Sequence, residues 1–306
     1  MKKIAILFVG LASIALAQTQ TPSTQSQPAQ NQPAAQSGTA QPAQPAAPAG
    51  RHPLQAKTQP EYEAYNAAHA QANDPVAAEA AANDFATKFP DSELKVLLYR
   101  DAMHAYQRLN NADKMLEMGR QVLKLDANDP EAMIGVAEVL TERTRDTDLD
   151  KDQRLDEASK LAQHALETVD TNISVPSGVS AEQVDTYKKF LRSSAYAIMG
   201  TQQYNKEKYA EAEDAFRKSV DAYPQQPDPI VVLRLALALD KQKKYDEALK
   251  EANHAVDLTA SQAETSVGIY ARQERDRLIQ LTGGTAPPAS KPATGTQPAP
   301  AAPKSN

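Results

Sequence analysis

The feature that most constrains the fold is a segment that occurs twice near the C-terminal end. Residues 208–220 and 244–256 carry Tyr, Ala and Val at the same places, 36 positions apart. Both copies are rich in alanine and charged residues and lack glycine, proline and the alternation of a strand, so each is predicted to be a helix. A repeated helix that cannot bury its apolar stripe alone needs stacked neighbours. The repeat therefore predicts an array of helix pairs.

Several helix starts can be read directly from the sequence. Asp74, Asp129 and Asp228 each stand directly before a proline. Aspartate is a good N-cap residue and proline is favoured at the first helical position, so each Asp-Pro pair predicts that a helix begins there. Two capping boxes predict further starts, Ser180 with Gln183 and Thr58 with Glu61.

The residues around the first copy complete a longer pattern, which consists of Tyr196, Met199, Gly200, Phe216 and Pro224. This pattern resembles the tetratricopeptide repeat, a helix-turn-helix unit of about 34 residues. The resemblance implies an all-α fold, a right-handed α-solenoid of antiparallel helix pairs. In such a pair, a small residue such as Gly200 lets the two helices approach closely.

Weaker copies of the unit lie upstream. A repeat domain is predicted over 58–282, with units near 59–92, 96–129, 130–170, 193–226 and 229–260 and a cap helix at 261–282. The spacing is irregular because residues are inserted near 144–152 and 169–180. In the second unit, Met103 and Gly119 stand where a small residue and an aromatic are usual, respectively. A helical hairpin bundle without superhelical stacking is the alternative.

The end of the array requires a cover. Residues 230–239 are apolar nearly all round, so this helix must be buried on more than one side. Residues Ala263, Val267, Tyr270, Ala271, Leu278 and Leu281 recur at helical spacing and are predicted to cover it, although Glu274 interrupts their stripe. An amphipathic helix that binds a partner is the alternative.

The N-terminal end has the pattern of an export signal. Lys2 and Lys3 precede an apolar run at 4–17, which is shorter than the roughly 20 residues that span a bilayer. A signal peptide at 1–17 with cleavage after Ala17 is predicted, and with it a periplasmic or secreted protein. The chain has no cysteine that could carry a lipid, so no stable membrane anchor is expected after cleavage.

Two segments have the composition of disordered linkers. Residues 18–57 and 283–306 consist largely of Pro, Ala, Gln, Ser and Thr, and are predicted to be disordered because they cannot bury enough apolar surface to fold. They would act as spacers or keep the helical domain soluble.

No pattern of residues typical of catalysis, of a cofactor site or of a metal site is present. The net charge of −6 argues against nucleic acid as a partner. Asp146, Asp148, Asp150 and Glu157 have the spacing of a calcium-binding loop, but Lys151 replaces the glycine that the turn of such a loop requires. A solvated acidic loop is therefore predicted. An enzyme is not expected.

The family resemblance implies where a partner would bind, because ligands of tetratricopeptide repeats commonly lie in the groove lined by the first helices. Carried onto this chain, the residues that face this groove are Arg100, His104, Gln107, Arg108, Glu138, Thr201 and Arg234. The predicted function is an exported, non-catalytic scaffold that binds a protein or peptide. The alternative is a structural component of the cell envelope that acts through self-association or contact with the cell wall.

Overall fold

The computed structural model describes residues 54–174 and 179–283. The predicted signal peptide at 1–17 lies outside the described residues. So do nearly all of the two predicted linkers, of which only 54–57 and Gly283 are described.

The described residues form an all-α fold, as predicted, with no strand among them. The helices are α1 Gln59–His69, α2 Pro75–Lys88, α3 Lys95–Arg108, α4 Ala112–Leu125, α5 Pro130–Arg143, α6 Lys151–Thr168, α7 Ala181–Asn205, α8 Tyr209–Ala222, α9 Pro229–Lys241, α10 Tyr245–Leu258 and α11 Ser266–Leu281. A single 3-10 turn, Ala260–Gln262, precedes α11. Within these ranges, no helix combines the length and apolarity that crossing a membrane requires.

The helices form a linear array of pairs. Each helix packs mainly on the helix before it and the helix after it, and first helices also touch the next first helix, as α5 touches α7 and α7 touches α9. In a closed bundle, the early helices would also pack on the late ones. The stacked arrangement is that of a repeat solenoid, in which each pair contacts only its neighbours.

The predicted helix starts are confirmed. The carboxylate of Asp74 accepts hydrogen bonds from the backbone N–H groups of Val76 and Ala77, the second and third residues of α2, both at 3.0 Å. Asp129 and Asp228 accept equivalent bonds, at 2.9 Å and 2.8 Å. At Ser180 both bonds of the capping box are present. Each side chain satisfies an N–H group that has no partner inside the helix.

Three of the pairs share one tight turn. The residues between the helices are 109–111, 206–208 and 242–244, and the middle residue of each has a left-handed backbone: Asn110, Glu207 and Lys243, with φ of 58°, 58° and 63°. The residue after it donates its N–H to a carbonyl five positions back, at 2.9 to 3.0 Å in all three turns. This is the hydrogen-bond pattern that ends many helices and reverses the chain.

Two pairs reach close helix contact by opposite arrangements. A Cβ atom added to Gly200 of α7 would lie 2.6 Å from the ring of Phe216 on α8. In the second pair the large residue, Met103, is on the first helix, and the glycine, Gly119, is on the second. A Cβ on Gly119 would lie 3.2 Å from the sulfur of Met103 and 2.8 Å from Val136. The exchange of small and large residues explains why the second unit departs from the usual pattern while its two helices still pack closely.

The fourth pair begins with a helix longer than the predicted unit. α7 has 25 residues and starts at Ala181, twelve positions before the unit boundary near 193. The helices α3, α5 and α9, which open other pairs, have 14, 14 and 13 residues. The first three turns of α7 therefore stand outside the repeat pattern.

The last helix covers the apolar helix α9, but with a different face from the predicted one. Ala271 and Leu278 are fully buried, whereas Tyr270 and Leu281 are 61% and 50% exposed, so the prediction for these two was wrong. The buried stripe is centred on 271, 274 and 278, which leaves 270 and 281 at its edges. Glu274 lies within this stripe and is paired with Arg277, which also contacts Asp240 of α9 at 2.6 Å.

The close contact at Gly200 gives a stability prediction. Gly200→Ala should lower the free energy of unfolding by about 1 to 3 kcal/mol, because the fully buried ring of Phe216 would have to shift, although alanine is the better helix former. Urea unfolding followed by circular dichroism measures the change.

Phe216→Leu provides the matched background. In the Phe216→Leu background, Gly200→Ala should lower the free energy of unfolding by less than about 0.5 kcal/mol, because the two positions interact directly. Equal costs in the two backgrounds would show that the ring of Phe216 does not limit the helix approach.

Candidate partner groove

The first helices α3, α5 and α7 enclose a narrow cleft. Its lining residues are Met103, His104, Gln107, Met115, Glu131, Ile134, Gly135, Glu138, Tyr187, Phe190 and Leu191. The volume is about 20 Å³, which is room for about one water molecule. Its floor is α5, a helix whose residues from Pro130 to Leu140 are all buried except Glu138. In this state the cleft is filled by the protein's own side chains.

A buried ion pair joins α3 to the start of α5. The guanidinium of Arg100 donates to the carboxylate of Asp129, whose other oxygen caps α5. Nε of Arg100 lies 3.9 Å from Glu131 Oε2, and Nη2 lies 3.4 Å from Ser174 Oγ. Burial acts to lower the pKa of Arg100, but Glu131 and Asp129 outweigh it, so this pKa is raised. The guanidinium is therefore charged and held internally.

Glu131 connects this ion pair to the cleft. Its Oε2 lies 3.4 Å from Nε2 of His104, and its carboxylate also accepts a hydrogen bond from the hydroxyl of Tyr187 on α7. Burial alone would raise the pKa of Glu131, but Arg100 and these two hydrogen bonds hold it below its usual range. Burial, followed by the charge of Glu131, raises the pKa of Tyr187 well above its usual value. Glu131 is thus ionised, and it ties α3, α5 and α7 together.

A second polar group lies where α5, α7 and α9 meet. Glu138 of α5 forms a hydrogen bond with Ser194 of α7 and is close enough to Glu142 and Asp228 to be influenced by their charges. Burial, followed by these two carboxylates, raises the pKa of Glu138 to about 8. At neutral pH this carboxyl group therefore holds a proton.

Near the place where α5, α7 and α9 meet, a hydrogen bond joins α9 to α7. Arg234 Nη1 donates to Thr201 Oγ1 at 2.8 Å, and the hydroxyl of Thr201 donates to the carbonyl of Ala197 at 2.8 Å. The charges of Asp228 and Glu142 also act on Arg234. Burial nevertheless lowers the pKa of Arg234, in contrast to the raised pKa of Arg100.

The seven residues predicted to face the groove do not form one set. His104, Gln107 and Glu138 line the cleft. Arg100 lies behind it in the buried ion pair, and Thr201 and Arg234 contact each other at the α7–α9 join. Arg108 lies apart, because its guanidinium donates to the carbonyl of Ala72 in the turn between α1 and α2 at 2.7 Å.

The sequence reasoning missed the residues that α7 contributes to the cleft. Tyr187, Phe190 and Leu191 precede the predicted unit boundary near 193 and were therefore not assigned to the groove. The capping box at Ser180 was the available signal, because it places the start of a helix twelve residues before that boundary.

The acidic run between α5 and α6 has its charges paired locally. Asp146 and Asp150 pair with Lys151 and Arg154, both at 2.7 Å. Asp148 accepts a hydrogen bond from the backbone N–H of Arg145 at 3.0 Å. Over the residues that the structure describes, no group of three or more side chains is arranged to hold a metal ion.

The buried ion pair gives a second prediction. Arg100→Leu should lower the free energy of unfolding by about 3 to 5 kcal/mol, because it leaves Asp129 and Glu131 buried without their cation. The exposed Arg108 offers the matched control, and Arg108→Leu should cost less than about 1 kcal/mol. Chemical denaturation measures both values. Similar losses in the two variants would mean that Arg100 contributes only packing.

The proton on Glu138 gives a third prediction. The folded protein keeps this proton up to a pKa of about 8, whereas the unfolded chain releases it near pH 4.5. The contribution of Glu138 to the free energy of unfolding is therefore fully present below pH 4.5 and is lost as the pH rises toward 8. Glu138→Gln mimics the protonated form. It should flatten the fall in the free energy of unfolding between pH 5 and 8 and should make the protein more stable than wild type at pH 8.

The exposed Glu211 on α8 is the control for this measurement. Glu211→Gln should leave the dependence of stability on pH as it is in the wild type. If Glu138→Gln does the same, Glu138 is ionised in the folded protein and the proton is not held there.

No family model and no curated protein matches the chain. Among solved structures, the chain is similar to "MamA MSR-1 C2", with 17% identity, a TM-score of 0.40, and coverage of 62% of this chain and 88% of that one. A second MamA crystal structure has 15% identity and a TM-score of 0.43, with coverage of 67% and 93%. TTC0263, a thermophilic TPR protein of Thermus thermophilus, has 13% identity and a TM-score of 0.42, with coverage of 72% and 100%.

The fold follows from the geometry of the described residues, namely the stacked helix pairs and the turns at Asn110, Glu207 and Lys243, which share one conformation. The described residues form an all-α array of stacked antiparallel helix pairs, which is the architecture of a repeat solenoid.

Proposed function

We propose that the protein is a non-catalytic scaffold that binds a protein or peptide along the face formed by its first helices. The observation that carries this proposal is that polar contacts join four of these helices in succession. Arg100 joins α3 to Asp129 at the start of α5, and Glu138 of α5 bonds to Ser194 of α7. Arg234 of α9 then bonds to α7. A face built from successive repeats is the extended surface that such arrays offer to partners.

The polar groups on this face favour binding over chemistry. Arg100 and Glu131 are held by each other and by neighbouring helices, so neither is presented as a free acid, base or nucleophile. His104 and Gln107 are only partly buried at the cleft edge, where they are available to a ligand. A partner that reaches this edge would gain hydrogen bonds without disturbing the buried ion pair.

The place of action in this proposal is outside the cytoplasm. The sequence at 1–17 supports export, because it has two lysines, a short apolar run and a small-x-small end before Gln18. Fractionation of cells followed by N-terminal sequencing tests this part. The exported chain should begin at Gln18, and an intact Met1 in a cytoplasmic fraction would contradict export.

A second candidate function is end-to-end self-association in the cell envelope. The observation that favours it is apolar exposure at both ends of the array. Tyr62 of α1 and Val76 of α2 are 52% and 69% exposed, and Tyr270 of α11 is 61% exposed. Light scattering after size exclusion distinguishes the candidates, because self-association gives an oligomer that Val76→Ser or Tyr270→Ser would weaken.

A photo-crosslinking amino acid tests the scaffold proposal directly. Placed at Gln107 on the cleft edge, it should form a covalent adduct with a specific envelope protein or peptide. Placed at the exposed Lys250 on α10, it should not. Equal adducts at the two positions, or none at Gln107 in a correctly folded variant, would contradict the proposal.

A further inference from the structure

The first three turns of α7, residues 181–192, are an addition to the repeat pattern. Gly200 of α7 and Ala236 of α9 are equivalent, 36 positions apart, and α9 begins at Pro229. By the same spacing, α7 would begin near 193. Residues 181–192, hereafter the α7 extension, therefore have no counterpart in α9.

The α7 extension lies against α5 on the side that faces α3. Tyr187, Phe190 and Leu191 line the cleft opposite His104 and Gln107. They pack on the apolar cluster to which Ile134 of α5 belongs, and the hydroxyl of Tyr187 donates to Glu131. Only about 20 Å³ remains unfilled, so the extension occupies nearly all of the groove above α5.

The contacts of the extension are those of a helix bound in a groove. Its anchors are at positions i, i+3 and i+4, namely Tyr187, Phe190 and Leu191. Its other face, which includes Glu182 and Asp185, is exposed. Helices that bind apolar grooves use this spacing of anchors, because residues three and four apart lie on one face.

We propose that the α7 extension is an internal occupant of the groove between α3 and α5, and that the partner of this groove is an amphipathic helix that takes its place. The partner helix presents two aromatic side chains and one aliphatic side chain at i, i+3 and i+4. The aromatic group nearest Glu131 carries a hydrogen-bond donor. This inference rests on the proposed function, because it names the class of partner for the same face.

The exchange has a definite energetic consequence. A partner helix recovers the apolar contacts and the bond to Glu131 that the extension gives up. Its apparent affinity is therefore the intrinsic affinity of the groove multiplied by the fraction of molecules in which the extension has left the groove. Weakening the extension should raise the affinity of the groove for a helix supplied from outside.

A peptide with the sequence of residues 180–194 is the probe. The full chain carrying Tyr187→Ser and Phe190→Ser should bind the fluorescent peptide at least tenfold more tightly than wild type, as measured by fluorescence anisotropy. Glu182→Ser with Asp185→Ser alters the exposed face of the same three turns, and this matched control should bind like the wild type. A peptide carrying Tyr187→Ser and Phe190→Ser should not bind to any of the proteins.

A milder variant covers the case in which the double variant does not fold, as judged by circular dichroism. Tyr187→Phe removes only the hydrogen bond to Glu131 and should raise the affinity for the peptide two- to fivefold. Equal affinities for wild type and the folded variants would overturn the proposal. A dimer in which two copies exchange their extensions would also overturn it, because the occupant would then be a second copy.

The peptide assay and the crosslinking test distinguish a failure of this inference from a failure of the proposed function. If the variants bind the peptide but Gln107 forms no adduct, the groove is a helix site while the scaffold proposal is wrong. If Gln107 forms a specific adduct but no variant gains affinity for the peptide, the scaffold proposal holds and the extension is a fixed part of the fold.

Discussion

The structure depends on how closely the two helices of a pair can approach. In the fourth pair the approach is set by Gly200, whose missing side chain makes room for the ring of Phe216. In the second pair the same room is made by Gly119 on the other helix, and Met103 fills it. The space between the two helices must hold the combined volume of the two facing side chains. The glycine can therefore be on either helix of the pair. Each pair can then present a regular apolar face to the next.

Polar contacts between first helices set how successive pairs are joined. Asp129 serves two helices at once, because one oxygen caps α5 while the other binds Arg100 of α3. Glu131 repeats this role between α3, α5 and α7. Removing the cation from such a group leaves a buried carboxylate without its partner. This loss of stability is larger than the net stabilisation that the intact ion pair provides. Arg100, which the sequence suggested as a ligand contact, thus holds two helices of the fold together.

The extension of α7 connects the fold to its proposed use. By covering α5 it turns the middle of the array into the most completely buried part of the described chain, and it fills a groove that shorter first helices would leave open. The anchors that fill it also describe the chemistry that the groove accepts. Glu138, which lies at the end of this cleft, holds a proton where α5, α7 and α9 meet. Loss of this proton would place a negative charge close to Glu142 and Asp228, where the three helices meet.

The sequence by itself determined the helices, their starts and the pairing of the last units. These depend on local physical chemistry: aspartate before proline, a capping box at Ser180, and a repeat of 36 residues. Only the tertiary structure decided which side chains form the cleft. Arg100 and Arg108 have the same charge in the sequence, yet one is buried against Asp129 and the other reaches the carbonyl of Ala72. Tyr187 became a groove residue because α7 starts before the repeat does. Such contacts join residues far apart in the chain, and their geometry follows from how the helices stack, which no local pattern records.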